Sequence, residues 1–294
     1  MTQRSKKTAK QATPPTELEV LIRARYPLIY VVSWEEQRVR QEAIRIASKL
    51  GKGVFEWSVN TGLIPAGSSL QKQKQRDAGT QDPLMALDKV VEHVDPGLYV
   101  FKDFHPFLKG QNTAVVRRLR EVAFSLKSTF KTIVLVSPTM EMPPDLEKEL
   151  TIVDFDLPQQ QHFSALLGRI LEEVKDNAKL NVNVTPAVRE QITHALLGLT
   201  LTEAENVLAR ALVQQRGLNG QSLEIINHEK KQIIRKNGML EYYESQENME
   251  SIGGLDQLKA WLVKRSVVFS DRARKFGLPA PRGILLLGVQ GCGK

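Results

Sequence analysis

Gly283-Ile284-Leu285-Leu286-Leu287-Gly288-Val289-Gln290-Gly291-Cys292-Gly293-Lys294 runs from aliphatic residues straight into glycine with no polar break. The aliphatic part reads as a buried β-strand. Residues 288–294 fit G-x-x-x-x-G-K, the phosphate-binding loop, as far as its lysine. Glycine lets the backbone bend so that successive N–H groups face one anion. A helix starting after the loop would add its positive end, and Lys294 would reach the outer phosphates as a charge. A strand feeding the loop is the context in which this motif is specific.

Working back from that strand, residues 255–268 read as a helix and the polar, acidic stretch 241–250 as part of a linker. Residues 159–179, 185–197, 202–215 and 223–235 form helical patterns, with Thr185-Pro186 as cap and first-turn proline and Gly217 and Gly238 as stops. Earlier still the rhythm changes. Short β-branched runs at 27–32, 54–59, 97–101, 132–136 and 152–157 alternate with helical patterns at 38–50, 83–91 and 111–130. Strands separated by helices imply a parallel sheet with right-handed crossovers. Residues 62–82 read as a polar loop rich in Gly, Gln and Lys.

Composition narrows the class. The 294 residues are 41% hydrophobic and 25% charged, as in globular proteins. No window holds the ~20 apolar residues of a membrane span. The net charge of +8 draws four cations from the first ten residues (Arg4, Lys6, Lys7, Lys10), so nucleic acid is not the expected partner. The single cysteine, Cys292, fits a reducing compartment; beside a helix N-terminus it is either a redox-sensitive thiol or a small inert loop residue. His93, His105, His162, His194 and His228 show no metal-ligand spacing. The basic clusters at Lys72, Lys74 and Arg76 and at Arg117, Arg118 and Arg120 read first as solvated faces and second as anion-binding patches.

Ser251-Ile252-Gly253-Gly254-Leu255, then Phe276-Gly277-Leu278-Pro279-Ala280-Pro281-Arg282-Gly283, then the loop, resembles the opening of an AAA-family ATPase module. With the long first half and the segment 226–243, the chain is similar to the AAA proteins that cyanobacteria and algal plastid genomes carry as a hypothetical reading frame. The resemblance implies a fold: an α/β class chain with a degenerate RecA/AAA-like parallel sheet core and helical lid, followed by the start of a second AAA core truncated at the loop. The expected division is 1–16 a disordered basic tail, 17–158 the α/β domain, 159–238 the lid, 239–250 a linker and 251–294 the second module. It also implies ATP as ligand, held by Gly288, Val289, Gln290, Gly291, Cys292, Gly293 and Lys294, with Ile252 and Gly253 beside the adenine. Mg²⁺ is expected in a complete site, whose Ser or Thr would follow Lys294; this stretch alone is not expected to hydrolyse ATP. Members are expected to remodel protein substrates and to form rings, usually hexamers, in the cyanobacterial cytoplasm or plastid stroma.

The first half carries a worn version of the same site. Where a phosphate loop should follow Val32 the sequence reads Ser33-Trp34-Glu35-Glu36-Gln37, without glycine or lysine. Two carboxylates there would repel phosphate by about 1 kcal/mol or more each. Asp103, after the third strand, is either a remnant metal ligand or a residue that caps or pairs locally; Ser137 and Thr139 are either polar sensors or turn residues before proline. The half therefore reads as a structural or partner-binding platform, and a non-enzymatic adaptor is the competing function.

Overall fold

The computed structural model describes residues 15–67, 76–109, 112–175, 184–236, 253–269, 273 and 276–277. By contacts the chain divides into two units, Met1–Lys230 and Lys231–Lys294.

The first unit is organised by β1 (Leu28–Val32), whose first four residues are buried. Leu28 and Tyr30 point to one face of the sheet and Ile29 and Val31 to the other, and both faces are covered. That is why the run carries no polar alternation. β1 lies between β5 (Thr132–Ser137) and β6 (Leu150–Asp154), parallel to both, with Leu28 paired to Ile133 and to Leu150. β4 (Gly97–Lys102) pairs with β5, and β2 (Gly53–Ser58) with β4, again in parallel. β3 (Gly62–Pro65) closes the edge, and the order is β3-β2-β4-β5-β1-β6.

The helices cover the two faces. α1 (Glu17–Arg23) and α2 (Glu36–Leu50) bury Leu18, Ile22, Val39 and Ile46 against Val31, Val100 and Val134. α3 (Pro83–Glu92) and α4 (Thr113–Leu126) bury Leu87, Val90, Leu119 and Val122 against Tyr30, Tyr99 and Leu135. Trp57 is the largest fully buried side chain; it stacks on Phe101 at 5.1 Å and donates from Nε1 to the Thr80 carbonyl at 2.6 Å. Burying an indole without such a partner for its N–H would cost the desolvation of that donor.

Two expectations needed correction. The stretch 62–82 is not all loop, because β3 pairs antiparallel to β2 and the sheet is therefore mixed. Four residues ending in proline are too few for a period to emerge, and proline is tolerated at an edge. The last strand lies at 150–154 rather than 152–157, because its partner β1 begins at Leu28 and pairing starts from Leu150. Phe155 instead packs beside the α1/α2 core, and Leu157 is exposed.

After β6 come α5 (Gln160–Val174), α6 (Pro186–Ala195), α7 (Leu201–Gln215) and α8 (Ser222–Lys236). Phe163, Leu167, Ile192, Leu196 and Leu208 are buried in this helical part, and α5 packs on both α6 and α7. In the second unit α9 (Asp256–Ser266) follows Gly254 and Leu255, both at positive φ, and Arg265 lies over the Trp261 ring at 4.9 Å.

Candidate functional site

β1 sits between β5 and β6, yet its chain crosses to the far side of the sheet to form β2. Such a reversal opens a crevice at the carboxyl ends of the strands, where parallel α/β sheets take ligands. A cleft of about 250 Å³ lies there, lined by Ser33, Trp34, Glu36, Asp103, Val136, Ser137 and Pro138. The strand ends are stitched together beneath it. Ser33 N–H donates to the Ser137 carbonyl and Asp103 N–H to the Val136 carbonyl, both at 2.9 Å.

The walls are acidic, but most of the charge is matched. Lys102, at the end of β4, bridges Glu36 and Glu56 at 2.8 Å each, and Arg40 Nε donates to Glu56 at 2.5 Å. Burial pushes the Glu56 carboxyl up, yet hydrogen bonds from Lys102 and Arg40 and their charges outweigh it and hold it below the usual range. Burial likewise pulls the Lys102 ammonium down, and Glu36 and Glu56 more than restore it. Asp103 takes a left-handed φ of 50°; its side chain is largely exposed, with His105 Nδ1 4.0 Å away.

Glu35 behaves differently from its neighbours. Its carboxylate is almost fully buried and paired with Arg38. Its Oε1 accepts the backbone N–H of Leu201, the first residue of α7, at 2.7 Å. Arg38 in turn donates to the Asp156 carbonyl at 2.9 Å and lies over Phe155. The loop between β1 and α2 thus reaches the helical part directly. Two further donors of the α7 start are met locally. Glu203 N–H donates to Thr200 Oγ1, and Thr200 N–H donates to the Glu203 carboxylate at 2.8 Å.

This crevice does not fit a nucleotide. Phosphate binding needs inward-facing N–H groups on a glycine-permitted bend and a free cation. The loop supplies neither, since Glu35 and Glu36 consume Arg38 and Lys102. Repulsion from two bare carboxylates therefore overstates the case: both are paired, and the cations that pair them are spent as well.

Of the residues expected to hold nucleotide, Ile252 and Gly288, Val289, Gln290, Gly291, Cys292, Gly293 and Lys294 lie outside the described residues. Gly253 is exposed just ahead of α9, with open space where a side chain would be. Among the described residues the buried Ser137 hydroxyl has no partner, and the Thr139 carbonyl accepts from Tyr30 at 2.8 Å. Asp103 stands one residue before Phe104, the cap position of a 3-10 turn over His105–Phe107, and pairs locally with His105; the described residues contain no metal-ligand cluster. The basic face of α4 is paired: Arg117 with Glu121, Arg118 with Asp88 and Glu121, and Arg120 with Glu149. The Glu35–Leu201 bond, spanning 166 positions, left no trace in any local pattern.

Solved structures overlap the chain loosely; C. elegans PCH-2 does so with a TM-score of 0.49 at 8% identity, over 74% of this chain and 67% of that one. Sequence relatives are closer. The "Uncharacterized AAA domain-containing protein ycf46" of Trieres chinensis is 34% identical over 282 residues, 95% of this chain and 54% of that one. Its namesake in Guillardia theta is 33% identical, over 95% of this chain and 53% of that one. The chain spans about half the length of the curated relatives it matches. Two family models match in succession, the N-terminal domain of SpoVK-like AAA ATPases over residues 15–155 and their second domain over 163–237. With its mixed α/β sheet, helical part and these matches, the chain belongs to the AAA ATPases of SpoVK-like type.

Proposed function

We propose that the chain belongs to an ATP-driven remodelling protein in which the first module has given up nucleotide and the second binds it. The carrying observation is the charge pairing at the first crevice: Glu35 and Glu36 stand, already paired, in the segment where a phosphate loop would have to be open and cationic. In this reading residues 17–158 and 159–238 form a platform for a protein substrate, and 239–250 link it to a nucleotide module from 251 on. Gly288 to Lys294 hold the phosphates of ATP with Mg²⁺, while Ile252 and Gly253 border the base. Ring assembly, hexameric by resemblance, and residence in a plastid stroma or cyanobacterial cytoplasm belong to the same proposal. Among the described residues no helix is long and apolar enough to cross a membrane.

The unfit crevice also favours a second reading, a non-enzymatic adaptor. Thermal melting with millimolar ATP–Mg²⁺ separates the two. Ligand at a hundred times Kd adds about 2.7 kcal/mol, which a melt detects readily. A rise in Tm supports the ATP-binding reading; an unchanged Tm supports the adaptor. In the protein extended past this chain, Lys294→Ala is expected to weaken ATP binding by about tenfold or more, roughly 1.4 kcal/mol. Ordinary affinity in that variant would sink the nucleotide assignment.

A further inference from the structure

A helix N-terminus favours an anion, because its first N–H groups are unpaired and its dipole is positive there. The start of α7 has such an anion, and it belongs to the chain itself. The Glu35 carboxylate bonds the Leu201 N–H with one oxygen and Arg38 with the other. Arg38 ties the pair to the Asp156 carbonyl, at the exit from the sheet. Among the described residues few groups face this carboxylate. Arg38 and the Leu201 amide are joined by His162 on the first turn of α5, whose imidazole burial and Arg38 hold below its usual pKa, against the pull of Glu35.

We propose that Glu35 is a built-in anion that docks the helical part α5–α8 on the sheet, doing with a covalent carboxylate what a phosphate would do reversibly in a nucleotide-binding module. Three features support this. The carboxylate springs from the segment where a phosphate loop would be, after β1 and at the start of α2. It is buried, so its charge acts in a weakly screened setting. Its acceptor geometry spans two parts of the fold rather than capping its own helix, for it makes no side-chain cap bond to α2. A bound phosphate comes and goes, and the arrangement it holds changes with it; a side chain does not leave. The first module is consequently locked in one arrangement throughout any nucleotide cycle elsewhere in the protein.

The test is chemical rescue in the full chain. Glu35→Ala removes the carboxylate and leaves Arg38 and the Leu201 N–H facing a space of carboxylate size. Amide exchange at Leu201 is expected to rise by about tenfold or more, as loss of a charged hydrogen bond implies, while exchange in β1 and β5 stays as in the parent. Inorganic phosphate in the tens of millimolar is then expected to restore protection and Tm, beyond what sodium chloride of equal ionic strength does. The parent and the double variant Glu35→Ala/Arg38→Met are expected to show no such excess. Phosphate acting equally on parent and Glu35→Ala, or unchanged Leu201 exchange in Glu35→Ala, overturns the proposal. Should Glu35→Ala fail to fold, Glu35→Gln keeps an acceptor without the charge. Leu201 exchange in that variant is expected to rise above the parent's, and parent-like protection overturns the proposal.

Discussion

The ammonium of Lys131 lies buried under the end of α3, where it donates to the carbonyls of Val90 and Val91 at 2.8 and 2.9 Å and to that of His93. It serves as a helix C-cap supplied from the neighbouring strand connection. Burial pulls its pKa down, yet the three acceptors still call for a cation. Lys131→Met keeps the stem and strands the carbonyls; a loss of about 2 kcal/mol is expected, read from the urea midpoint. Glu19 is the acidic counterpart, fully buried and facing Arg23, Arg45 and Lys49. Burial pushes its carboxyl up, but the bonds from Arg45 and Lys49 and the charges of Lys49 and Arg23 win and leave it below the ordinary 4.5. A carboxyl depressed in the folded state stabilises fully above its unfolded pKa and loses that contribution as pH falls through the folded one. Glu19→Gln should therefore cost about 1–2 kcal/mol at pH 7, discounted for the exposed cations. The deficit should shrink as pH drops below about 4.5, as followed by denaturation at several pH values.

At the scale of elements, the β2–β3 hairpin depends on Gly62. Its φ is +69°, and a β-carbon there would lie 2.0 Å from the Asp77 carbonyl oxygen. Two independent penalties act at one position, so Gly62→Ala is expected to destabilise by about 2 kcal/mol or more and to loosen the β3 edge. Faster amide exchange at Leu63, whose N–H donates to Thr80 Oγ1 at 2.7 Å, would report it. Helix α7 begins with a capping box in which Thr200 and Glu203 satisfy each other. Thr200→Ala should cost about 1 kcal/mol and raise exchange at Glu203 more than at Leu201, because Leu201 answers to Glu35 instead. The two amides thus separate a local cap from a long-range tie within one helix turn.

For the molecule as a whole, the sheet and both of its covering layers lie before the helical part, and the Glu35 tie holds the two together. Residues 15–236 expressed alone are expected to fold, with a single melting transition that millimolar ATP–Mg²⁺ leaves unmoved. A Tm rise in that piece would mean that the first crevice binds nucleotide after all. The contrast with the full protein assigns any ATP response to the segment beyond it.

The linear pattern by itself determined most of the segments that become strands and helices and where the α/β part gives way to helices. Pro27 to Val32 read as a strand and Thr185-Pro186 announced a helix start, because these signals are local to a few residues, whereas the Thr200–Glu203 box stood unread ahead of a helix taken to begin at 202. It also carried the absence of glycine and lysine after Val32. Tertiary structure alone decided the β3 edge, the register that moved β6 to Leu150, and the fate of the carboxylates. Glu35 and Glu36 looked like two bare charges in sequence, whereas folding brings Lys102 to one and the Leu201 amide, 166 positions away, to the other. Pairing across such distances depends on strand order and chain crossing, which no periodicity within a window encodes.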